Sequence, residues 1–239
     1  MSAHADPDAI RKTLTTMARL AGIGEFAIAA SRVGAARAAG LFPAELASLP
    51  VGGAERLATF RAGRACARMA LAELGLPPVA IPRDAAGAPR WPPGVCGSIS
   101  HAMEVAAAIV VRNSPVGSIG LDLEEDGPLD DAGVAEVVCR PDELADLPAG
   151  LALSSLQYGK LLFVIKEAAY KLFWPLRNVF LEFQSLRVRV DPAAEVFEAE
   201  ILSEAAELRT PRTSVVRGRY ARAESLYIAL AHEFAPGES

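Results

Sequence analysis

Two short segments carry acidic side chains at spacings that chemistry can use. The first is Ile119-Gly120-Leu121-Asp122-Leu123-Glu124. Its apolar residues fall at every second position, the pattern of a strand with one buried face. Asp122 and Glu124 then share the opposite face, about 6–7 Å apart along the strand. Like charges held that close repel unless a cation or a proton intervenes. Gly120 removes a side chain beside them and is expected to leave room for a ligand. Two readings stand: a hard divalent cation with oxygen ligands, Mg²⁺ above all, or a strand end fraying into a solvated acidic turn, since Glu125 and Asp126 follow. The second segment is Phe163-Val164-Ile165-Lys166-Glu167-Ala168-Ala169-Tyr170-Lys171. On a helix Glu167 and Lys171 share a face, and Phe163, Lys166 and Tyr170 form the neighbouring stripe. An ordinary Glu-to-Lys helix pair, worth about 0.2–0.5 kcal/mol, explains the spacing by itself. A charged cluster inside so apolar a run (Leu161, Leu162, Val164, Ile165, Ala168, Ala169, Leu172) is not the usual solvated face.

Two further groups suit an anion. Gly97-Ser98-Ile99-Ser100-His101 combines small residues, hydroxyls and one of only three histidines, a set able to bring N–H groups and His101 to a negative ligand. A structural histidine is the plain alternative. Arg56 and Arg64 lie eight residues apart, about two helical turns, and so share a face. With Arg83 they offer the paired donors that grip phosphate, or they are solvated surface arginines.

The elements that must position these residues can be read from periodicity and breakers. Residues Met1 to Leu20 are expected to be helical and partly loose, and Glu25 to Arg32 a short strand. Ala54 to Leu74 predicts a long helix, with Leu57, Phe60, Arg64, Ala67, Leu71 and Leu74 on one stripe and Gly75 as its stop. Leu76 to Gly94 holds six of the 17 prolines and must be an extended loop of held shape. Val105 to Val111 and Val116 to Glu124 predict two strands joined at Asn113-Ser114-Pro115, read as an antiparallel hairpin. Leu151 to Phe173 predicts a second long helix ended by Trp174-Pro175. Four strands should follow: Leu186 to Val190, Val196 to Leu202, Ser214 to Arg222 and Leu226 to Phe234. Each half thus offers a long helix and antiparallel strands, an α+β fold of two similar subdomains, 1–124 and 125–239.

Composition excludes several classes. The 239 residues are 51% apolar and 22% charged, enough for a core and too apolar for wholesale disorder. A net charge of −5 argues against sequence-independent nucleic-acid binding. Cys66, Cys96 and Cys139 form no metal or disulfide pattern and fit a reducing compartment, the cytoplasm. No signal peptide or membrane span is expected.

Four ordered motifs now combine: the Gly63-Arg64 helix; Gly87-x-Pro89-x-Trp91-Pro92 followed by Gly97 to His101; Gly120 to Glu124; and Phe163 to Lys171. Together they resemble the Sfp-type 4′-phosphopantetheinyl transferases, nearest to the enterobactin-synthetase component D branch, over roughly half the chain. The resemblance implies two similar α+β halves with coenzyme A in the cleft between them. It implies transfer of the phosphopantetheine arm to a serine of an apo carrier protein, releasing adenosine 3′,5′-bisphosphate. Asp122, Glu124 and Glu167 would hold Mg²⁺ (or Mn²⁺), and Glu167 would take the serine proton. Lys166 and Lys171 would neutralise the pyrophosphate. Arg56, Arg64, Arg83, Ser100 and His101 would grip the 3′-phosphate and its neighbours, and Gly87, Ala88 and Pro89 would lie against adenine. The implied partners are carrier domains of nonribosomal peptide (including siderophore), polyketide or fatty-acid synthases, met by a monomeric enzyme. One position departs from the branch: Val164 stands where a serine or threonine is usual. Arg187, Arg189, Arg217, Arg219 and Arg222 read either as a docking face for an acidic carrier or as a solvated sheet face. A Mg²⁺-dependent coenzyme A phosphohydrolase and a non-catalytic coenzyme A- or carrier-binding module are the competing classes.

Overall fold

The computed structural model describes residues 5–35, 40–112, 116–178, 180–202 and 215–234. The expectations for Met1 to His4, for the Asn113-Ser114-Pro115 turn and for Ser214 lie outside them.

Helix α1 (Pro7–Leu20) starts where Asp6 caps the backbone N–H of Asp8 and Pro7 takes the first turn. Ile10, Leu14 and Met17 give it one buried stripe. β1 (Phe26–Arg32) follows, then the short α2 (Pro43–Leu46) and the long α3 (Ala54–Glu73). Gly75, at φ +70°, ends α3 in the left-handed conformation that glycine adopts most readily. The proline segment contains no strand, only an Arg83–Pro89 bridge that folds it back on itself. β2 (Val95–Ala102), β3 (Val105–Arg112) and β4 (Val116–Glu125) come next. After α4 (Ala132–Val138) and α5 (Pro141–Ala145), Ser154 and Gln157 form a capping box for α6 (Ser155–Arg177). β5 (Leu186–Asp191), β6 (Val196–Ile201), β7 (Val215–Ala223) and β8 (Leu226–Phe234) complete the chain.

The strands form two antiparallel sheets, β1-β3-β2 and β4-β8-β7-β6-β5. α3 covers the first and α6 the second, so the α+β class holds. The expected hairpin of β3 with β4 is corrected: β3 pairs with β1 and β2, and β4 pairs with β8. Gly97 to His101, to which no element was assigned from the sequence, is the middle of β2, whose register with β3 runs from Val95–Arg112 to Ala102–Val105. Sheet membership changes between Arg112 and Val116. α6 also runs past Trp174, with Pro175 inside its last turn; the helix stops at Asn178, which adopts φ +54°.

The two sheets meet along β2 and β4 without a main-chain ladder. The Ser98 hydroxyl accepts the Leu121 N–H at 2.9 Å, and the Ser100 hydroxyl accepts the Leu123 N–H at 3.1 Å. The equal steps along both strands mean that they run in the same direction. Below this seam, α1 packs on both sheets at once: Ile10, Leu14 and Met17 share one core with Ile28, Ile109, Ile119, Leu121, Leu123, Ile228 and Leu230. Above it, α6 packs on β4 and β8.

Candidate active site

Alternation along β4 does what the sequence demands. Ile119, Leu121 and Leu123 are buried toward α1, and Gly120, Asp122 and Glu124 face α6. The space beside Gly120 is filled by the α6 backbone, which corrects the expectation of room for a ligand. A Cβ there would lie 1.8 Å from the Ala168 carbonyl oxygen, so glycine is what lets α6 seat on the strand.

The repulsion between Asp122 and Glu124 is met by lysines of α6. Lys171 Nζ donates to Asp122 Oδ1 at 2.6 Å, and Lys160 Nζ to Glu124 Oε2 at 2.8 Å. Lys171 also donates to the Ser100 hydroxyl (3.1 Å) and the Leu121 carbonyl (3.2 Å), which uses all three of its N–H groups. Ser100 donates to Asp122 Oδ1 at 2.9 Å. The other Asp122 oxygen, Oδ2, is buried with no hydrogen-bond partner. Burial pushes the Asp122 carboxyl up against the pull of Lys171. Glu167 forms no ion pair among the described residues. Burial, and then the charges of Asp122 and Glu124, push its carboxyl above the usual range, with Lys171 opposing. The three acids therefore share one electrostatic neighbourhood with an orphaned oxygen, and all their donors are the hard oxygens that Mg²⁺ takes. They fit such an ion in kind. Among the described residues, though, no three His, Cys, Asp or Glu side chains are already gathered as a metal cage.

Over this cluster lies a cleft of about 310 Å³, walled by both halves of the chain. α3 contributes Arg56, Phe60 and Arg64; the proline loop Arg83, Gly87, Ala88 and Pro89; β2 His101; and α6 Glu167, Tyr170, Lys171 and Trp174. Arg64 is 5% exposed, its guanidinium 4.3 Å from the centre of the Phe60 ring and its Nε bonded to the Ile81 carbonyl at 2.6 Å. Burial draws that guanidinium down to about 10; Glu45 opposes, and Arg83 and Arg68 add to the effect. Arg64 therefore stays charged at neutral pH. Glu45 is fully buried, and no pattern in the sequence singles it out: it accepts from Arg68, from the Ile81 N–H and from the Phe42 N–H, and so braces the arginine side of the cleft. Among the described residues no carboxylate pairs with Arg56, Arg64 or Arg83. Gly87 sits at φ +99°, and a Cβ on it would fall 2.3 Å from the Arg83 guanidinium. Arg83 in turn donates to the Gly87 carbonyl at 3.1 Å. His101 is held below its ordinary value, first by burial, then by Lys171 and Arg56, with Asp122 and Glu124 opposing.

Two expected cleft residues lie elsewhere. Lys166 is wholly buried on another face of α6, where Nζ donates to Glu143 (2.7 Å) and to the Val138 and Phe183 carbonyls (2.9 and 3.0 Å). Its donors are spent on fastening α4 and α5 to α6, so its assignment to the pyrophosphate is corrected. Ser100 is 4% exposed and engaged with Asp122 and Lys171, which removes it from the phosphate grip. Val164 is fully buried in the α6 core, where a hydroxyl would need a partner. The C-terminal arginines are largely paired: Arg187 with Asp142, Arg189 with Glu200, Arg217 with Glu198 and Arg222 with Asp126, while Arg219 bonds the Ala194 carbonyl. That favours the solvated sheet face. Tyr170 and Trp174 in the cleft wall were missed as site residues, although Tyr170 lies one turn from Glu167 and Trp174 one turn beyond Tyr170 and Lys171.

Comparison with known proteins agrees with this layout. The 4′-phosphopantetheinyl transferase N-terminal domain matches residues 44–111, and the 4′-phosphopantetheinyl transferase superfamily domain matches residues 118–227. The 4′-phosphopantetheinyl transferase Svp of Streptomyces mobaraensis is 38% identical over 198 residues, 82% of this chain and 80% of that protein. The 4′-phosphopantetheinyl transferase PptT of Mycobacterium tuberculosis is 34% identical over 171 residues, 70% and 74% of the two chains. The 4′-phosphopantetheinyl transferase Npt of Nocardia iowensis is 42% identical over 134 residues, 56% and 59%. Both walls of the cleft fall inside the matched regions, and the chain belongs to the 4′-phosphopantetheinyl transferase superfamily, enzymes that transfer the phosphopantetheine arm of coenzyme A to a carrier protein.

Proposed function

We propose that the cleft between α3, the proline loop and α6 binds coenzyme A and presents its pantetheine-bearing phosphorus to a carrier serine. Arg56, Arg64 and Arg83 take the 3′-phosphate, with His101 beside the diphosphate. Gly87, Ala88 and Pro89 lie along the adenine. We infer that Asp122, Glu124 and Glu167 hold Mg²⁺, or Mn²⁺ in its place; the Asp122 Oδ2 without a hydrogen-bond partner and Glu167 without an ion pair, both among the described residues, support this. Such an ion, when bound, supplies positive charge to the diphosphate.

The steps on this chain's own residues follow. Glu167 accepts the serine proton as the serine oxygen bonds to phosphorus. Lys171 exchanges part of its contact with Asp122 for a phosphate oxygen as the bond to the leaving nucleotide breaks. Adenosine 3′,5′-bisphosphate departs with that bond's electrons. The acceptor is an apo carrier domain of a peptide, polyketide or fatty-acid synthase. One chain walls the whole cleft, so a monomer suffices, and Cys66, Cys96 and Cys139 form no disulfide, which fits the cytoplasm.

The observation that carries this reading is a single cleft lined by three arginines of one half and by Glu167 and Lys171 of the other. Weighing an apo carrier after incubation with coenzyme A and Mg²⁺ tests it. The carrier should gain the mass of one phosphopantetheine arm, and Asp122→Ala or Glu167→Ala should abolish that gain while the folded far-ultraviolet spectrum persists. Nucleotide release without any carrier would point to hydrolysis instead.

A further inference from the structure

One carboxylate shapes the loop between Ile81 and Arg90. Asp84 Oδ1 accepts the backbone N–H groups of Ala86 and Ala88, each at 2.9 Å, and the Asp84 N–H donates to the Ala88 carbonyl at 2.9 Å. Its second oxygen, Oδ2, accepts the indole N–H of Trp174 at 3.1 Å. The first set of bonds fixes residues 86–88, which line the cleft from the first half. The last reaches α6 of the second half, three residues beyond Lys171. Burial works upward on the Asp84 carboxyl, and Trp174 with the backbone N–H groups more than offsets it, so the group is a committed, ionised acceptor. A negative charge next to Arg83 opposes anion binding, so Asp84 is not there to serve the ligand's charge. What it provides is a tie across the mouth of the cleft. Beyond Trp174 the tie continues into an aromatic stack, Trp174 to Tyr170 (6.1 Å between ring centres) and Tyr170 to Phe180 (5.7 Å).

We propose that Asp84 is a positioning residue for the transfer, holding the nucleotide loop and α6 in one register so that coenzyme A is bound with its reacting phosphorus facing Glu167 and Lys171. This rests on the coenzyme A reading of the cleft. A hydrogen bond to a charged group carries about a tenfold factor.

Carrier modification is measured with Asp84→Ala, Asp84→Asn, Trp174→Phe and the Asp84→Ala/Trp174→Phe pair. In parallel the indole N–H resonances are recorded with and without adenosine 3′,5′-bisphosphate. Asp84→Ala and Trp174→Phe should each raise KM for coenzyme A about tenfold, with a smaller loss in kcat and no change in KM for the carrier. Asp84→Asn, which keeps an acceptor oxygen, should recover part of the loss. The pair should be little worse than Asp84→Ala alone, because one bond is shared. The Trp174 indole signal should move in Asp84→Ala. Effects of Asp84→Ala and Trp174→Phe that multiply, or wild-type KM in Asp84→Ala with a displaced indole signal, overturn the positioning role alone. A wild-type protein that modifies no carrier overturns the coenzyme A reading, and this role with it.

Discussion

At the scale of single residues, burial decides which charges do chemistry and which hold the fold. Lys166 and Glu167 are neighbours in sequence, yet one is sealed against Glu143 and the other opens on the cleft. Lys166→Met should cost about 3–5 kcal/mol in chemical denaturation, because it strands a buried carboxylate. Pairing it with Glu143→Gln should restore much of the stability, and kcat along with it. A double variant that is stable but inactive would return Lys166 to the reaction. His232 gives a pH signature. Burial first, then Arg217 and Arg219, lower it from 6.5 to about 4. The unfolded chain therefore binds this proton more readily. The associated stability is full above 6.5 and is lost as pH falls toward 4, amounting to about 3 kcal/mol. Urea titrations at pH 7 and 4.5 should show that loss in the wild type and a smaller one in His232→Asn. The alternation of Asp122 and Glu124 was legible in the sequence because strand geometry has a period of two. The different fates of Lys166 and Lys171 were not: five residues on a helix place them about 140° apart, and which of the two faces meets the cleft is settled only by where α5 and Glu143 pack.

Among the elements, the contact of α6 with β4 is the one on which the site depends. Gly120 sets their separation, and Gly120→Ala should force the helix outward by overpacking, costing about 1–3 kcal/mol. The measurable outcome is a lower Tm together with a fall in carrier-modification rate larger than the change in KM for coenzyme A, since Glu167 moves with the helix. An unchanged Tm would mean that the helix accommodates the methyl. Helix and strand positions came readily from periodicity and breakers: α3, β1, β3, β4 and α6 fall within a few residues of expectation. Pairing did not. Two apolar strands joined by a turn read locally as a hairpin, and the partner that captured β4 lies about a hundred residues later, at the C-terminal end. β2 escaped notice because Gly97-Ser98-Ile99-Ser100 has little strand propensity by itself, and its serines serve the neighbouring strand.

For the whole molecule, the family matches fall into an N-terminal and a C-terminal part, while the packing is shared. The core beneath the seam draws on α1, β3, β4 and β8 together, and the cleft needs both walls. Denaturant unfolding should therefore show one transition by both tryptophan fluorescence and circular dichroism. Separate transitions would show that the halves fold independently.

The seam itself has a further consequence. Where β2 meets β4, the hydrogen bonds between the strands run through two serine hydroxyls instead of a main-chain ladder. Amide hydrogens of Leu121 and Leu123 should trade for deuterium sooner than those of β4 that face β8. Asp122 lies between those two amides. Each brief parting would wet the carboxylate that is otherwise sealed, giving ions and protons a way in along the seam while the cleft above is filled.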